Sequence, residues 1–443
     1  MKNVFIGILL CTVLLVSCGN PEGNDERDSR KELILATIGS TQTLQRQVFD
    51  FNQSNTDYYI TINDYFGSRD ANMSHTDYEG RMDDARLRLD ADIVASGMKK
   101  GKTPLDIIVL PSYLDYFRYA KKGYFEDLSK YLNEDNYISV FDAIKLDGEL
   151  YGIFPYFSII AILMRDIPRD SDLFDTLISL QEKANYSILG GAGRSEDLGF
   201  WMLFFLDEFI DWENRECEFK NPRFITIANM LKIRPAGSIP DLWNEFVEKH
   251  ESMMEAIKDN PFFIPVLIDS IYAVQGNKNI YGRDAVYTGF PGNENMLPVL
   301  IDEIYAIPRN SKNKKIAWEF ISGLIDEEYQ MKNAQEYPGF PEIPVLLEAI
   351  ELTISNSQND ENTFVEWSHW IGDPQFNVSF VEPDIPEIFR SLLEKEWLIY
   401  QGDEMMFQII SEEMEFYFND AKTLDQVIEI LNNRVGLYLK ENM

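Results

Sequence analysis

Three short apolar runs, separated by segments with helical spacing, constrain the fold of the first part of the chain more than any other feature. The runs cover 33–38, 58–66 and 106–110, and the last is a continuous apolar stretch of the kind buried in parallel sheets. Apolar residues from Tyr78 to Ile93 recur on one helical face, and Gly97 then ends that segment. Strands that alternate with helices in this way indicate an α/β domain with a parallel sheet.

The pattern changes after Pro155, which indicates a second domain. Asp147-Gly148, just before this point, lies between two short apolar segments and is typical of a hairpin turn. The sequence beyond predicts a strand over 158–164, a helix over 172–183, a strand over 186–189 and a glycine loop over 190–195. Thr423 to Gln426 form a capping box that predicts the start of a C-terminal helix. A chain of 443 residues, 45% of them apolar, is long enough to bury two cores.

Charge and composition exclude several classes of function. With 74 acidic and 40 basic residues the formal net charge is −34, and such a surface repels nucleic acid and anionic lipid. Solubility is a sufficient explanation for this acidity. The three histidines, His75, His250 and His369, are far apart in the chain and lack the spacing of a metal site. The sequence contains no motif for a nucleophilic serine, a dithiol or a phosphate loop with its lysine, so we expect neither catalysis, nor a cofactor, nor a metal.

The N-terminus has the pattern of a secretory leader. One lysine precedes an apolar stretch that ends at Leu15-Val16-Ser17-Cys18, and the polar run 19–30 follows directly. This tetrapeptide resembles the lipobox of bacterial lipoproteins, in which the cysteine becomes the acylated N-terminus. We therefore expect 1–17 to be a signal peptide, Cys18 to be lipidated, and 18–30 to be a flexible tether. The alternative is an ordinary cleaved leader in which the cysteine has no role.

Several segments, in order along the chain, resemble a known family. They lie at 106–108, 119–128, 147–153, 307–321 and 327–330, and at 432–435 with 438–441. Together they are similar to the family 1 extracellular solute-binding proteins of ABC importers, a group with many sugar-binding lipoproteins. The chain departs from the family pattern at two places. An extra residue stands in Tyr151-Gly152-Ile153-Phe154-Pro155, and Leu105 separates a proline from an aspartate before the third strand.

The resemblance implies a two-lobe, periplasmic-binding-protein-like fold of the class II type. Each lobe would be a mixed sheet flanked by helices, with the ligand in the cleft between them. The N-terminal lobe would comprise 31–155 and 286–337, and the C-terminal lobe 156–285 and 338–443. The chain would cross between lobes near Pro155, over 285–290 and over 338–344.

The function that the resemblance implies is a non-enzymatic, substrate-binding subunit of an ABC importer for a mono- or oligosaccharide. It would be a monomer held at the outer face of the cytoplasmic membrane by its lipid, and its partners would be the permease subunits and their ATPase. Four alternatives stay open: a receptor that presents ligand to a sensor kinase, a binding protein for a non-sugar solute, a lipid-anchored glycosidase, and an adhesive surface protein.

Candidate ligand-binding residues come from loops that follow predicted strands and from aromatic side chains that could stack on a sugar ring. Each aromatic residue could instead belong to the core, and each arginine could be solvated surface. The candidates are Ser40, Tyr65, Tyr113, Tyr156, Arg194, Trp201, Arg283, Trp367 and Trp370.

Overall fold

The computed structural model describes most of the chain from Arg30 onward, in sixteen stretches. They are residues 30–67, 75–98, 105–112, 114, 116–167, 172–184, 186–189, 194–211, 214–234, 260–289, 295–336, 342–358, 365–367, 376–378, 381–399 and 404–442.

Fourteen strands and thirteen helices are described in these stretches. The strands are β1 (Lys31–Thr37), β2 (Tyr58–Asp64), β3 (Ile107–Pro111), β4 (Tyr156–Arg165), β5 (Ile210–Asp211), β6 (Glu216–Cys217), β7 (Phe262–Ile268), β8 (Val286–Thr288), β9 (Met296–Leu300), β10 (Glu303–Ala306), β11 (Ile343–Pro344), β12 (Val365–Trp367), β13 (Phe376–Val378) and β14 (Glu396–Ile399). The helices are α1 (Gln42–Ser54), α2 (His75–Gly97), α3 (Tyr116–Lys121), α4 (Leu173–Lys183), α5 (Arg194–Phe205), α6 (Pro222–Lys232), α7 (Ile271–Tyr281), α8 (Lys314–Gly323), α9 (Glu327–Glu336), α10 (Leu347–Ser357), α11 (Ile385–Leu393), α12 (Glu404–Phe418) and α13 (Leu424–Asn442).

A four-stranded sheet in the order β10-β3-β1-β2 contains the first three predicted strands. β1 is parallel to β2 and β3, while β10 returns from much later in the chain and is antiparallel to β3. Ile107 to Leu110 are buried, as expected for a central strand covered on both faces. The predicted apolar face of α2 is confirmed, because Ala85, Leu89 and Ile93 are fully buried against this sheet.

The larger sheet is built around β4. This strand is antiparallel to β7, β8, β9 and β11, and β14 adds to β9 in parallel. Ile159, Ala161 and Leu163 belong to one hydrophobic core, which is continuous with that of the smaller sheet, whereas Ile162 and Met164 belong to the other. Alternate residues of one strand therefore join two cores, because successive side chains point to opposite faces.

The second core lies mainly among α4, α5, α6, α12 and α13. The predicted capping box is confirmed at the start of α13: the Thr423 amide donates to the Gln426 side chain, and the Gln426 amide donates to the Thr423 hydroxyl. The predicted hairpin is also present, since Leu146 and Glu149 exchange two backbone hydrogen bonds and Asp147 and Gly148 have positive φ. The predicted strand at 186–189 is wrong: these residues form bends and turns, and a single hydrogen bond joins Ile188 to Phe263.

The chain returns from the larger sheet to the smaller one later than the sequence analysis expects. β8 and β9 pair with β4, so that 286–288 and 296–300 contribute to the larger sheet, and β10 is the first strand to rejoin the smaller one. The crossing therefore falls at Ile301-Asp302 rather than at residue 286. The sequence pattern could not show this, because short apolar strands of either sheet look alike.

The expected leader, Cys18 and most of the tether lie outside the described residues. Among the helices that are described, none has the length and apolar character needed to span a bilayer.

Candidate functional site

The two sheets meet where the chain crosses between them. The first crossing runs from Ile153, which bridges to Tyr305 of β10, through Pro155 to the start of β4. The second runs from Leu300, the last residue of β9, to Glu303, the first of β10. The third follows α9 and ends at β11, which pairs with the first residues of β4. These crossings gather the ends of strands from both sheets at one place.

Asp64, at the carboxyl end of β2, organises the adjoining loops of the smaller sheet. Its carboxylate accepts hydrogen bonds from the amides of Gly39 and Ser40, each at 2.8 Å, and from those of Phe66 and Gly67 at 3.0 and 3.2 Å. Burial acts to raise the pKa of Asp64, but these backbone donors outweigh it and the pKa is lowered. The carboxylate is therefore ionised at neutral pH and holds the loops after β1 and β2 together.

The facing end of the larger sheet carries Tyr156 at the start of β4 and Asp269 directly after β7. Ser270 follows Asp269 and caps α7 by accepting a hydrogen bond from the Ala273 amide. A pocket opens here. It is lined by Tyr156, Asp269, Ser270, Ile271, Gln330, Asn333, Ala334, Glu342, Ile343, Pro344, Ile350, Thr353 and Phe389.

Four carboxyl groups lie in or next to this pocket. Asp269 and Glu342 line it, and Asp302 and Glu303 lie next to Glu342 in the second crossing. Burial, the charge of Asp302 and a hydrogen bond between the two carboxyl groups raise the pKa of Glu342 to about 9, with further contributions from Glu303 and Asp269. Burial also raises the pKa values of Asp269 and Glu303. At neutral pH, Glu342 therefore holds a proton.

Tyrosine hydroxyls and side-chain amides connect the carboxyl groups to both lobes. Tyr305 donates to Glu303 at 2.9 Å, and Gln47 of α1 donates to the Tyr329 hydroxyl at 2.7 Å. On the pocket wall, Asn333 of α9 donates to the Tyr156 hydroxyl at 2.7 Å. Such groups both donate and accept hydrogen bonds, as recognition of a polyhydroxylated molecule requires.

Two of the predicted site residues lie at this junction. Tyr156 lines the pocket, and half-buried Ser40 lies in the loop that Asp64 organises. Tyr65, in the neighbouring loop, is buried, and its hydroxyl donates to Asp92 at 2.5 Å while Arg88 covers its ring. Its ring is thus packed within the lobe and offers no face to a ligand.

Trp201, Arg194 and Arg283 lie elsewhere. Trp201 is fully buried in the second core, where its ring stacks on Phe205 at 5.6 Å. Arg194 is buried beneath α12, and its guanidinium donates to the Asn419 side chain at 3.1 Å. Both side chains are buried, which argues against the ligand contact that the sequence analysis expects of them. Arg283 is 77% exposed and pairs with Glu382, as expected of a surface arginine.

The remaining predicted residues are not described in side-chain detail. Tyr113 and Trp370, like Cys18, fall outside the described residues. Trp367 lies in β12, of which the backbone alone is described.

Sequence reasoning missed the residues that dominate the pocket. Asp269 and Ser270 directly follow an apolar strand and precede a helix, so the strand-end rule applied to the first lobe would have found them. Nothing in the sequence distinguishes Glu303 and Glu342 from the other acidic residues. Their significance comes from the chain crossings, which bring them together from distant parts of the sequence.

Comparison with known proteins identifies relatives of this arrangement. A family described as bacterial extracellular solute-binding protein matches residues 91–364. A search of curated proteins finds no match to the chain.

Solved structures share the fold at low sequence identity. The extracellular solute-binding protein family 1 from Alicyclobacillus acidocaldarius superposes with a TM-score of 0.53 at 14% identity, covering 93% of this chain and 99% of its own. The sugar-binding protein MalE from Xanthomonas citri gives 0.52 at 14% identity, covering 93% and 98%. An ABC substrate-binding protein from Listeria monocytogenes in complex with cycloalternan gives 0.51 at 13% identity, covering 93% and 99%. The expected two-lobe fold is therefore confirmed.

Proposed function

We propose, from the premise that the chain belongs to the bacterial extracellular solute-binding proteins, that it is the carbohydrate-capturing subunit of an ABC importer. The observation that carries the proposal is the pocket at the junction of the two sheets, where hydroxyl, amide and carboxyl groups converge. Two structural relatives, a sugar-binding protein and a substrate-binding protein in complex with cycloalternan, support the choice of a carbohydrate.

The pocket has the chemistry that a sugar needs. Tyr156 and Phe389 line the pocket with aromatic rings that are largely covered in this structure, and Asn333, Ser270 and Thr353 offer hydrogen-bonding groups. Sugars bind through apolar contact of their ring faces with aromatic side chains, together with hydrogen bonds to their hydroxyls. The ligand would leave the pocket chemically intact, and the protein would have no catalytic role.

Ligand binding would favour the closed arrangement of the two lobes. Groups that contact ligand lie on both sides of the crossings, and only the closed form satisfies them together. Ligand therefore shifts the population toward that form, which a permease can distinguish from the empty one. A dissociation constant of about 1 μM, which suits capture followed by release, corresponds to about −8 kcal/mol.

We also propose the division of the chain that this mechanism needs. One lobe would comprise 31–155 with about 301–337, and the other 156–300 with 338–443, following the sheet pairing. Residues 1–17 would direct secretion. Acylation of Cys18 would hold the protein as a monomer at the outer face of the cytoplasmic membrane, beside its permease.

A ligand screen tests the carbohydrate proposal. The purified protein is heated with mono- and oligosaccharides, and with amino acids and peptides as controls. A sugar present at about one hundred times its dissociation constant should stabilise the fold by about 2.7 kcal/mol. Mass spectrometry of the recovered sugar should show it unchanged. Stabilisation by amino acids or peptides alone would contradict the proposal, and hydrolysis of the sugar would indicate an enzyme.

Two tyrosine variants locate the binding site. Tyr156→Phe removes the pocket hydroxyl that accepts from Asn333, and it should weaken sugar binding. Tyr417→Phe is the matched control, since it removes a hydroxyl bonded to an amide side chain, Asn229, in the second core. Equal affinity of the two variants would exclude the pocket as the sugar site.

A further inference from the structure

Four carboxyl groups from three separate segments converge at the lobe junction. Asp269 follows β7, Asp302 and Glu303 belong to the second crossing, and Glu342 to the third. Asp269 and Glu342 line the same pocket, and the charges of Asp302, Glu303 and Asp269 all raise the pKa of Glu342. The site itself does not depend on them: the pocket, its hydroxyl and amide groups, and membership of a solute-binding family indicate a ligand independently.

These carboxyl groups have no basic partner in the described part of the chain. The ion pairs there join surface or buried carboxylates elsewhere to lysine or arginine, and none involves any of the four. Ionising these carboxyl groups together without a basic partner is unfavourable, so Glu342 stays protonated in the empty protein and its ionisation carries a free-energy cost. A cation that enters with the solute would remove this cost.

The geometry favours an organic cation over a metal ion. Among the described residues, no group of three acidic, histidine or cysteine side chains is placed to hold a metal. Asp302 is exposed, whereas Asp269, Glu303 and Glu342 are half-buried. A chain with a net charge of −34 also attracts cations as they approach.

We propose that the solute bound at this junction is a carbohydrate that carries a protonated amine, as an amino sugar does. The inference rests on the proposed function of the pocket and specifies the charge of its ligand. The amine is held by Asp269 and by the Asp302–Glu342 pair, and the sugar hydroxyls are held by the neighbouring tyrosine and amide groups. Charge-assisted hydrogen bonds of this kind favour the amine over a neutral group at the same position.

The comparison uses two ligands with the same sugar backbone that differ in their charge and in their acetyl groups. The glucosamine trimer carries protonated amines, and its N-acetylated counterpart has the same backbone and none. We expect the free trimer to bind about tenfold or more tightly at moderate ionic strength, as one charge-assisted hydrogen bond provides. Asp269→Asn and Glu342→Gln should remove this preference. Glu429→Gln, an exposed change in α13, is the control for general loss of negative charge and should preserve it.

Proton release on ligand binding is a second measurement, and Glu342 would not produce it if its role were only structural. Glu342 holds a proton at neutral pH, and Asp302, Glu303 and Asp269 are the charged groups that face it. A bound amine should lower its pKa and expel that proton into solution. Calorimetry at pH 6, where the amines of the free trimer already carry their protons, in two buffers with different ionisation enthalpies should therefore show a buffer-dependent binding enthalpy, and Glu342→Gln should abolish the dependence.

The outcomes separate the two proposals. Equal or tighter binding of the N-acetylated trimer overturns the amine inference and leaves the carbohydrate function intact. If spermidine binds more tightly than either trimer, the ligand is a cation but not an amino sugar. That outcome overturns both the amino-sugar assignment and the carbohydrate function. Stabilisation by calcium chloride alone, with no response to the free trimer or spermidine, overturns the inference in favour of a metal ion. Failure of both amines to bind also overturns it.

Discussion

The side-chain amide of Gln330 donates a hydrogen bond of 3.0 Å to the backbone carbonyl oxygen of Pro155. The same nitrogen donates to the carbonyl of Leu324 at 3.1 Å, and the side-chain oxygen accepts from the Leu346 amide at 3.3 Å. Gln330 is fully buried, and these contacts join α9 to the first crossing and to the segment after β11. One side chain thus connects two of the three crossings between the lobes.

Replacing Gln330 with alanine should destabilise the protein by about 2–4 kcal/mol. The change leaves buried backbone groups without partners, and each such loss costs about 1–3 kcal/mol. Urea denaturation measures the effect. Gln408→Ala, which removes an exposed glutamine from α12, is the matched control and should change stability by less than about 0.5 kcal/mol. Similar stabilities of the two variants would show that Gln330 does not hold the crossings together.

Trp201→Ala should cost about 3–5 kcal/mol of folding free energy, the usual range for a buried aromatic residue. The ring lies between Phe174 and Phe205, at centroid distances of 5.8 and 5.6 Å, so its removal leaves a cavity in the second core. Ligand affinity, measured by calorimetry on the folded fraction, should not change. A loss of ligand affinity with unchanged stability would indicate that Trp201 contacts the ligand.

The stability of the protein should fall as the pH rises from about 5 to about 9. The pKa of Glu342 is about 9 in the folded state, against 4.5 for the unconstrained side chain, so the fold binds this proton more tightly than the unfolded chain does. That contribution is complete below about pH 4.5 and is lost as the pH approaches 9. The raised pKa values of Asp269 and Glu303 act in the same direction.

Glu342→Gln tests this dependence, because glutamine resembles the protonated side chain. Urea denaturation at pH 5, 7 and 9 should show equal stability of variant and parent at pH 5, and a more stable variant at pH 9. Glu429→Gln should follow the parent throughout. Parallel pH profiles of parent and Glu342→Gln would mean that Glu342 is ionised in the folded protein.

Patterns among residues close in sequence predict much of the fold. The strand at 106–110, the apolar face of α2, the Asp147-Gly148 turn and the Thr423 capping box each depend on residues close in sequence, and each appears as expected. The strand predicted at 186–189 is absent, because the sequence pattern of a short buried turn does not differ from that of a short strand. The return crossing at Ile301-Asp302 depends on which of two sheets a strand joins, and long-range packing decides that.

The candidate site was less predictable for the same reason. From the sequence alone, aromatic side chains are expected to stack on a sugar ring, yet Trp201 and Tyr65 fill the interior of their lobes. Burial, which the residue type alone does not fix, decides between these roles. The carboxyl groups in and beside the pocket, Asp269, Glu303 and Glu342, share an environment that arises only when the three chain crossings are in place.

Asp64→Ala should loosen the loops after β1 and β2 without unfolding the lobe. The carboxylate accepts from the amides of Gly39, Ser40, Phe66 and Gly67, and a hydrogen bond to a charged group is worth about 1.5–3 kcal/mol when its partner is protected from water. Because Asp64 is partly exposed, we expect a total loss of about 1–3 kcal/mol. Hydrogen exchange should accelerate in peptides covering 38–44 and 64–67, while the buried strand β3 stays protected. Asp50→Ala, which removes an exposed carboxylate from α1, should leave these rates unchanged. Unaltered exchange in Asp64→Ala would mean that the two loops are ordered by their own packing and that this carboxylate does not hold them together.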